Sequence, residues 1–144
     1  MFHFRLEAVL TQRRHAEESL QSELTEARRT LAAEQAALRE AKRARSRCMR
    51  ELRQAQEAHF RADQILLYYP YLERLAAAVD NQTRRVSLAE RRLSQKRHAL
   101  IEAMKKRKVL EKFREKQARA YQHEEAALEQ RLHDEASAQQ HGRR

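Results

Sequence analysis

Apolar and small residues recur along this chain in alternating steps of three and four. The longest run passes through Leu24, Ala27, Leu31, Glu34, Leu38, Ala41, Arg45, Cys48, Leu52, Ala55, His59 and Ala62. That alternation is heptad spacing, which collects one seam on an α-helix and predicts a coiled coil. Upstream, Leu6, Val9, Arg13, Ala16 and Leu20 keep the alternation, but Leu20 to Leu24 then adds a second consecutive step of four. Such a break predicts a stutter, which locally unwinds a supercoil without ending the helix. A second seam runs through Leu72, Leu75, Val79, Gln82, Val86, Ala89, Leu93, Lys96, Leu100, Ala103, Arg107, Leu110, Arg114, Gln117, Tyr121, Glu124 and Leu128.

Two helical arms of about 60 to 65 residues result, each ~90 to 100 Å long at the normal rise. Between them, Asp63 can cap a helix start, and Pro70 suits a first turn but not a helix interior. The chain is therefore expected to reverse between Phe60 and Tyr71. The predicted fold is all-α, a long antiparallel two-helix coiled-coil hairpin. As a single domain it covers residues 1–138, with a first helix over 3–62, a turn over 63–70, a second helix over 71–138 and a flexible tail over 139–144. Alanines on the first seam allow close approach, while Lys96, Arg107 and Arg114 weaken the second and must snorkel to water. A parallel dimer of one continuous helix is the alternative, but Pro70 would cost about 3 kcal/mol in mid-helix.

Composition agrees with helices in place of a compact core. Charged residues make up 36% of the chain and aromatics 6%, with one glycine, Gly142, and one proline to punctuate turns. The regular recurrence of apolar residues argues against disorder, the competing reading of such polarity. A lone cysteine, Cys48, excludes an intrachain disulfide and fits a reducing cytosol. Met1 to Val9 has neither a secretory nor a transit-peptide pattern. The longest uncharged apolar run, Ile65 to Leu72, is far too short to span a bilayer, so no direct membrane insertion is expected.

The net charge of +10 is unevenly spread. Arg84 to Arg119 holds fourteen Lys or Arg against four Glu, whereas Met1 to Leu38 is slightly acidic. In a hairpin the basic stretch lies opposite Glu17, Glu18, Glu23, Glu26 and Glu34, so flanking ion pairs can set the register. Three readings of that stretch are open: a solvated face with interhelical pairs, a surface for an acidic protein, or a nucleic-acid site. Basic zippers carry their charge before a cleaner leucine repeat, and this chain does not, so no nucleic-acid partner is expected.

Catalytic chemistry finds no footing. No two of the seven histidines stand at i, i+4, so no helix-borne metal pair exists, and His59 on the seam reads as a packed residue. The only glycine is third from the end, which leaves no glycine-rich loop for phosphates. Cys48 reads as a small seam residue. The expectation is a non-enzyme with no cofactor and no metal, working through its surface. Phe2, Phe4, Tyr68, Tyr69, Tyr71, Phe113 and Tyr121 are more aromatic surface than two helices can bury, and so are candidate interface residues.

Three segments carry a resemblance. The opening Phe2-His3-Phe4-Arg5-Leu6-Glu7-Ala8-Val9-Leu10, followed by Arg13, resembles the start of FliJ-family proteins of flagellar type III export. Lys106-Arg107-Lys108-Val109-Leu110-Glu111-Lys112-Phe113-Arg114-Glu115-Lys116, with Tyr121 and then Asp134-Glu135-Ala136, is similar to that family's most recognisable segment. Tyr71-Leu72-Glu73-Arg74-Leu75 resembles its tyrosine-leucine motif, with Pro70 a departure from the pattern. The resemblance implies a cytoplasmic, non-enzymatic stalk, monomeric when free and peripherally associated with the inner-membrane export apparatus. Implied partners are the hexameric export ATPase FliI, the export gate FlhA and export chaperones. The resemblance implies that the end carrying both termini enters the ATPase ring, so Phe2, Phe4, Arg5, Lys105, Lys106, Lys108, Phe113 and Tyr121 would serve it, while by family position Tyr71, Leu75, Ala78 and Gln82 would serve the gate. The alternatives are the equivalent stalk of a virulence type III secretion system and a nucleic-acid-binding basic coiled coil.

Overall fold

The structure, a computed structural model, describes residues 1–143. It is all-α. Helix α1 spans Glu7–Glu57, the short α2 spans Ala62–Leu66, and α3 spans Tyr68–Gly142, with no strand among the described residues. Contacts divide the chain into two compact units. One is Leu20–Leu100, and the other joins Met1–Ser19 to the chain from Ile101 onward. Both α1 and α3 contribute to each unit.

In the Leu20–Leu100 unit, Glu23 pairs with Lys96 at 3.0 Å and Glu34 with Arg85 at 3.1 Å. The two pairs step eleven residues up α1 and eleven down α3, so the helices are antiparallel at matched rise. Leu24, Ala27 and Leu93 form the buried cluster, with Leu31 and Leu100 packed against it. Cys48 and Ala55 are buried further along α1, and Val79, Val86 and Ala89 along α3. Every seam residue expected from Leu24 to Ala55 is at least half-buried.

His59 and Ala62 are exposed, because α1 ends at Glu57 and not near residue 62. His59 adopts φ 53°, its N–H donates to the Gln56 carbonyl at 3.3 Å, and the Phe60 N–H donates to the Ala55 carbonyl at 3.1 Å. This is a Schellman cap, with histidine in the left-handed position usually held by glycine. The expected packed seam histidine is therefore a helix terminator. Asp63, expected to cap, stands inside the first turn of α2, whose N-cap is Arg61 and makes no side-chain cap bond. Pro70 has no N–H to offer the Leu66 carbonyl four residues back, which explains why the helical path breaks at Leu67. As the third residue of α3, Pro70 falls where a helix N–H lacks an intrahelical acceptor, so α3 starts at Tyr68, ahead of the expected 71. At its far end α3 runs to Gly142, taking in most of the expected tail, while Arg144 lies outside the described residues.

In the other unit the seam differs from expectation. Leu10 is fully buried and Glu17 is 7% exposed, whereas Val9, Arg13 and Ala16 face solvent. Leu6, Leu10, Glu17, Leu20 and Leu24 keep heptad spacing without the second consecutive step of four, so the predicted stutter is absent, although Arg13, at the intervening heptad position, is exposed. A small apolar residue is the natural choice for a seam when only sequence is considered. Here the carboxylate of Glu17 takes the place because Arg107 compensates it. On α3, Leu110, Gln117 and Tyr121 remain half-buried, but Arg114, Glu124 and Leu128 are exposed. Met1 is already level with Tyr121, and every described residue beyond Tyr121 is exposed.

Candidate partner-binding surfaces

The first surface belongs to the unit of both terminal segments. Residues 1–6 precede α1, and aromatic packing holds them on α3. The rings of Phe2 and Tyr121 lie 5.8 Å apart, those of Phe4 and Phe113 6.1 Å apart near edge-to-face, and the Met1 amino group donates to the Tyr121 hydroxyl at 2.7 Å. Phe4 is 3% exposed, so its ring is committed to packing. Phe2 and Tyr121 are half-buried, while Arg5 and Phe113 face outward.

Ion pairs continue the attachment below the aromatics. Arg114 meets Glu7 at 3.1 Å and Arg14 meets Glu111 at 3.5 Å. Arg107 is held by Glu17 on α1 and by Glu111 at 2.9 Å one turn along α3. These hydrogen bonds, Glu17 first and Glu111 second, raise the Arg107 pKa further above its ordinary value. The reciprocal bond from Arg107 pulls the Glu111 carboxyl below its usual range against some desolvation, with Arg14 adding to the effect. Tyr121 is shifted upward, chiefly by a hydrogen bond with Glu125 and then by desolvation.

Lys105, Lys106 and Lys108 are exposed on α3, and among the described residues only Lys105 of the three makes an ion pair, a local one with Glu102 at 3.3 Å. Lys105, Lys106, Lys112 and Phe113 stand at −4, −3, +3 and +4 from Val109, which is 67% exposed. Residues three and four apart are neighbours on a helix, so this is an apolar spot ringed by ammonium groups and one aromatic ring. Spacing shows this neighbourhood as soon as Val109 is recognised as lying off the seam.

The second surface lies in the Leu20–Leu100 unit. Tyr71 and Ala78 are exposed, while Leu75 and Gln82 are half-buried toward α1. Gln82 donates to the Glu34 backbone carbonyl at 3.0 Å and to its carboxylate. The four residues therefore share one side of α3, two on the surface and two supporting it from the seam. Phe60, Gln64, Leu67, Tyr68 and Tyr71 line a groove of about 580 Å³ beside them. Phe60 and Leu67, at 52% and 74% exposure, were not among the expected contact residues. Their signal is nonetheless present in the chain, as bulky apolar residues next to a reversal with too few neighbours to cover them. Among the described residues there is no group of three or more His, Cys, Asp or Glu that could hold a metal ion, and no helix long and apolar enough to cross a membrane.

A family model described as "Flagellar FliJ protein" matches residues 2–144. No curated protein matches the chain. The solved structure described as a YscO homolog, CT670 from Chlamydia trachomatis, is similar at a TM-score of 0.69 and 24% identity, over 98% of this chain and 96% of that one. At that identity the likeness concerns the fold.

Proposed function

The chain belongs to the flagellar FliJ protein family, and from that premise we propose that it is a non-enzymatic stalk of the flagellar type III export apparatus. The match across residues 2–144 is the observation that carries this reading. In the proposal, the protein binds the hexameric ATPase FliI through the unit bearing both terminal segments. Phe2, Arg5, Lys105, Lys106, Lys108, Phe113 and Tyr121 make the contact, and Phe4 holds the terminal segment in place. The exposed α3 turns beyond Tyr121, with Leu128 and Leu132 at 59% and 58% exposure, extend that surface. Tyr71, Leu75, Ala78 and Gln82 serve the export gate FlhA, and export chaperones are further partners. The protein works as a cytoplasmic monomer, recruited to the inner-membrane apparatus by these contacts.

The test is FliI hydrolysis and ring population at dilute FliI. Adding the protein should raise both, and combined reversal of Lys105, Lys106 and Lys108 to Glu should remove the stimulation with helicity intact. No change in rate or ring population on adding the native protein would refute the role. A second reading, the equivalent stalk of a virulence type III system, draws on the fold likeness to the YscO homolog. Loss of secretion with intact motility on deletion would decide for that reading.

A further inference from the structure

Leu88 lies off both seams and is 62% exposed, in the part of α3 that belongs to the Leu20–Leu100 unit. Around it, at −4, −3, +3 and +4, stand Arg84, Arg85, Arg91 and Arg92, all exposed. On an α-helix these are the positions whose side chains surround a given residue, so one leucine sits inside four guanidinium groups. Only Arg85 has a carboxylate partner, Glu34; Arg84, Arg91 and Arg92 make no ion pair among the described residues. Two grooves share Leu88 as a wall. One, of about 530 Å³, includes Thr30, Arg85, Arg92 and Gln95, and the other, of about 410 Å³, includes Thr83, Arg84 and Ser87.

Coiled-coil pairing accounts for Arg85, through its contact with Glu34, but not for Leu88 or the other three arginines. An exposed Leu adds nothing to the seam, and guanidinium groups without a carboxylate partner add no interhelical pair to it. The arrangement does match a protein interface, where an apolar centre is enclosed by a charged rim and arginine is favoured. We propose that this face docks an acidic amphipathic helix of a partner protein. The partner's aliphatic stripe would lie in the grooves beside Leu88, with Asp or Glu on both flanks pairing with Arg84, Arg91 and Arg92. Charge complementarity selects the acid, and the central Leu selects a partner with apolar side chains over a bare polyanion. Leu88 is six residues from Gln82, ~9 Å along the helix axis and turned about 120° around it, so this face adjoins the turn-proximal surface but lies on another side of α3. It goes beyond the proposed export role and does not depend on it.

The probe is a synthetic helix bearing a leucine stripe flanked by glutamates, titrated against the full chain by fluorescence anisotropy. A peptide of the same composition, shuffled to break the stripe, and a short DNA duplex are compared with it. The striped peptide should bind at least about tenfold more tightly than the shuffled one, and binding should weaken with salt as exposed charge pairs do. Leu88→Gln should weaken it about fivefold, and combined R84E, R91E and R92E at least about tenfold, both with native far-UV circular dichroism. The charge-matched control R28E, R29E and R39E, on the exposed side of α1, should change it less than about twofold. Equal binding of striped and shuffled peptides, indifference to Leu88→Gln, an equal loss in the control, or tighter binding of DNA would each overturn the proposal.

Discussion

Leu93 and Leu88 lie five residues apart on α3, one 7% exposed and the other 62%. Truncating each to alanine removes the same three carbons, so the difference isolates what the seam contributes. For Leu93, three carbons at about 0.8 kcal/mol each amount to about 2.4 kcal/mol of lost burial. The void borders Leu24 and Ala27, with Leu31 and Leu100 packed against them. A seam between only two helices is open on its flanks, so neighbours relax into the void and the cavity penalty stays small. The expected loss is about 2.5 to 3 kcal/mol, at the low end for buried leucines. That corresponds to about a hundredfold in the folding equilibrium. Leu88→Ala should stay within about 0.5 kcal/mol, since alanine is the best helix former and little surface is uncovered. Urea unfolding followed by far-UV circular dichroism reads both variants, and amide exchange within Leu20–Leu100 locates the loss. Equal losses, or a Leu93→Ala cost below about 1 kcal/mol, would refute the assigned seam.

Other perturbations test the cap, an ion pair and the buried thiol. His59→Gly should stabilise the protein by about 0.5 to 1 kcal/mol, because glycine accepts the left-handed cap at no steric cost and this outweighs its greater freedom in the unfolded chain; a lower urea midpoint would contradict the Schellman assignment. Glu111 is depressed in the folded state below its ordinary 4.5, so its stabilising share is present above that pH and fades as pH falls through the lower folded value. Glu111→Gln should therefore flatten the acid limb of the stability curve, and an unchanged limb would count against the Arg107 pair. Cys48, 2% exposed and with its thiol raised first by desolvation and then by Glu51, should react with a disulfide reagent only slowly until denaturant is added. Leu31→Asp should lower helicity, in contrast to the lysine reversals at 105, 106 and 108, which should not; the opposite result would mean seam and surface had been exchanged.

The candidate surfaces are partly legible in the residue pattern. Tyr71 and the lysines at 105, 106 and 108 stand out as bulky or charged residues off the seam, and they are exposed. Phe4 stands out for the same reason, yet it packs into the aromatic contact with Phe113, which joins residues more than a hundred positions apart. Leu88 is legible in principle, since a leucine off the heptad with arginine at ±3 and ±4 is a pattern in the chain itself. It is overlooked when attention stays on the seams.

By itself the sequence determined the helical class, the antiparallel pairing, and the seams from Leu24 to Ala55 and from Leu72 to Leu110. Heptad spacing is local information, and a helix turns it into a face whatever lies opposite. Of the five glutamates expected opposite the basic stretch, Glu17, Glu23 and Glu34 pair with it, whereas Glu18 and Glu26 pair locally with His15 and Arg29 on α1. Tertiary structure alone decided that Leu10 and Glu17 hold the seam in place of Val9 and Ala16. A carboxylate is tolerable there only once Arg107, ninety residues away, is beside it. It also decided where α1 stops, because the left-handed cap at His59 is one a glycine would have announced and a histidine does not. Spacing chooses the face of each helix, and compensation between distant charges and backbone caps chooses the register and the turn.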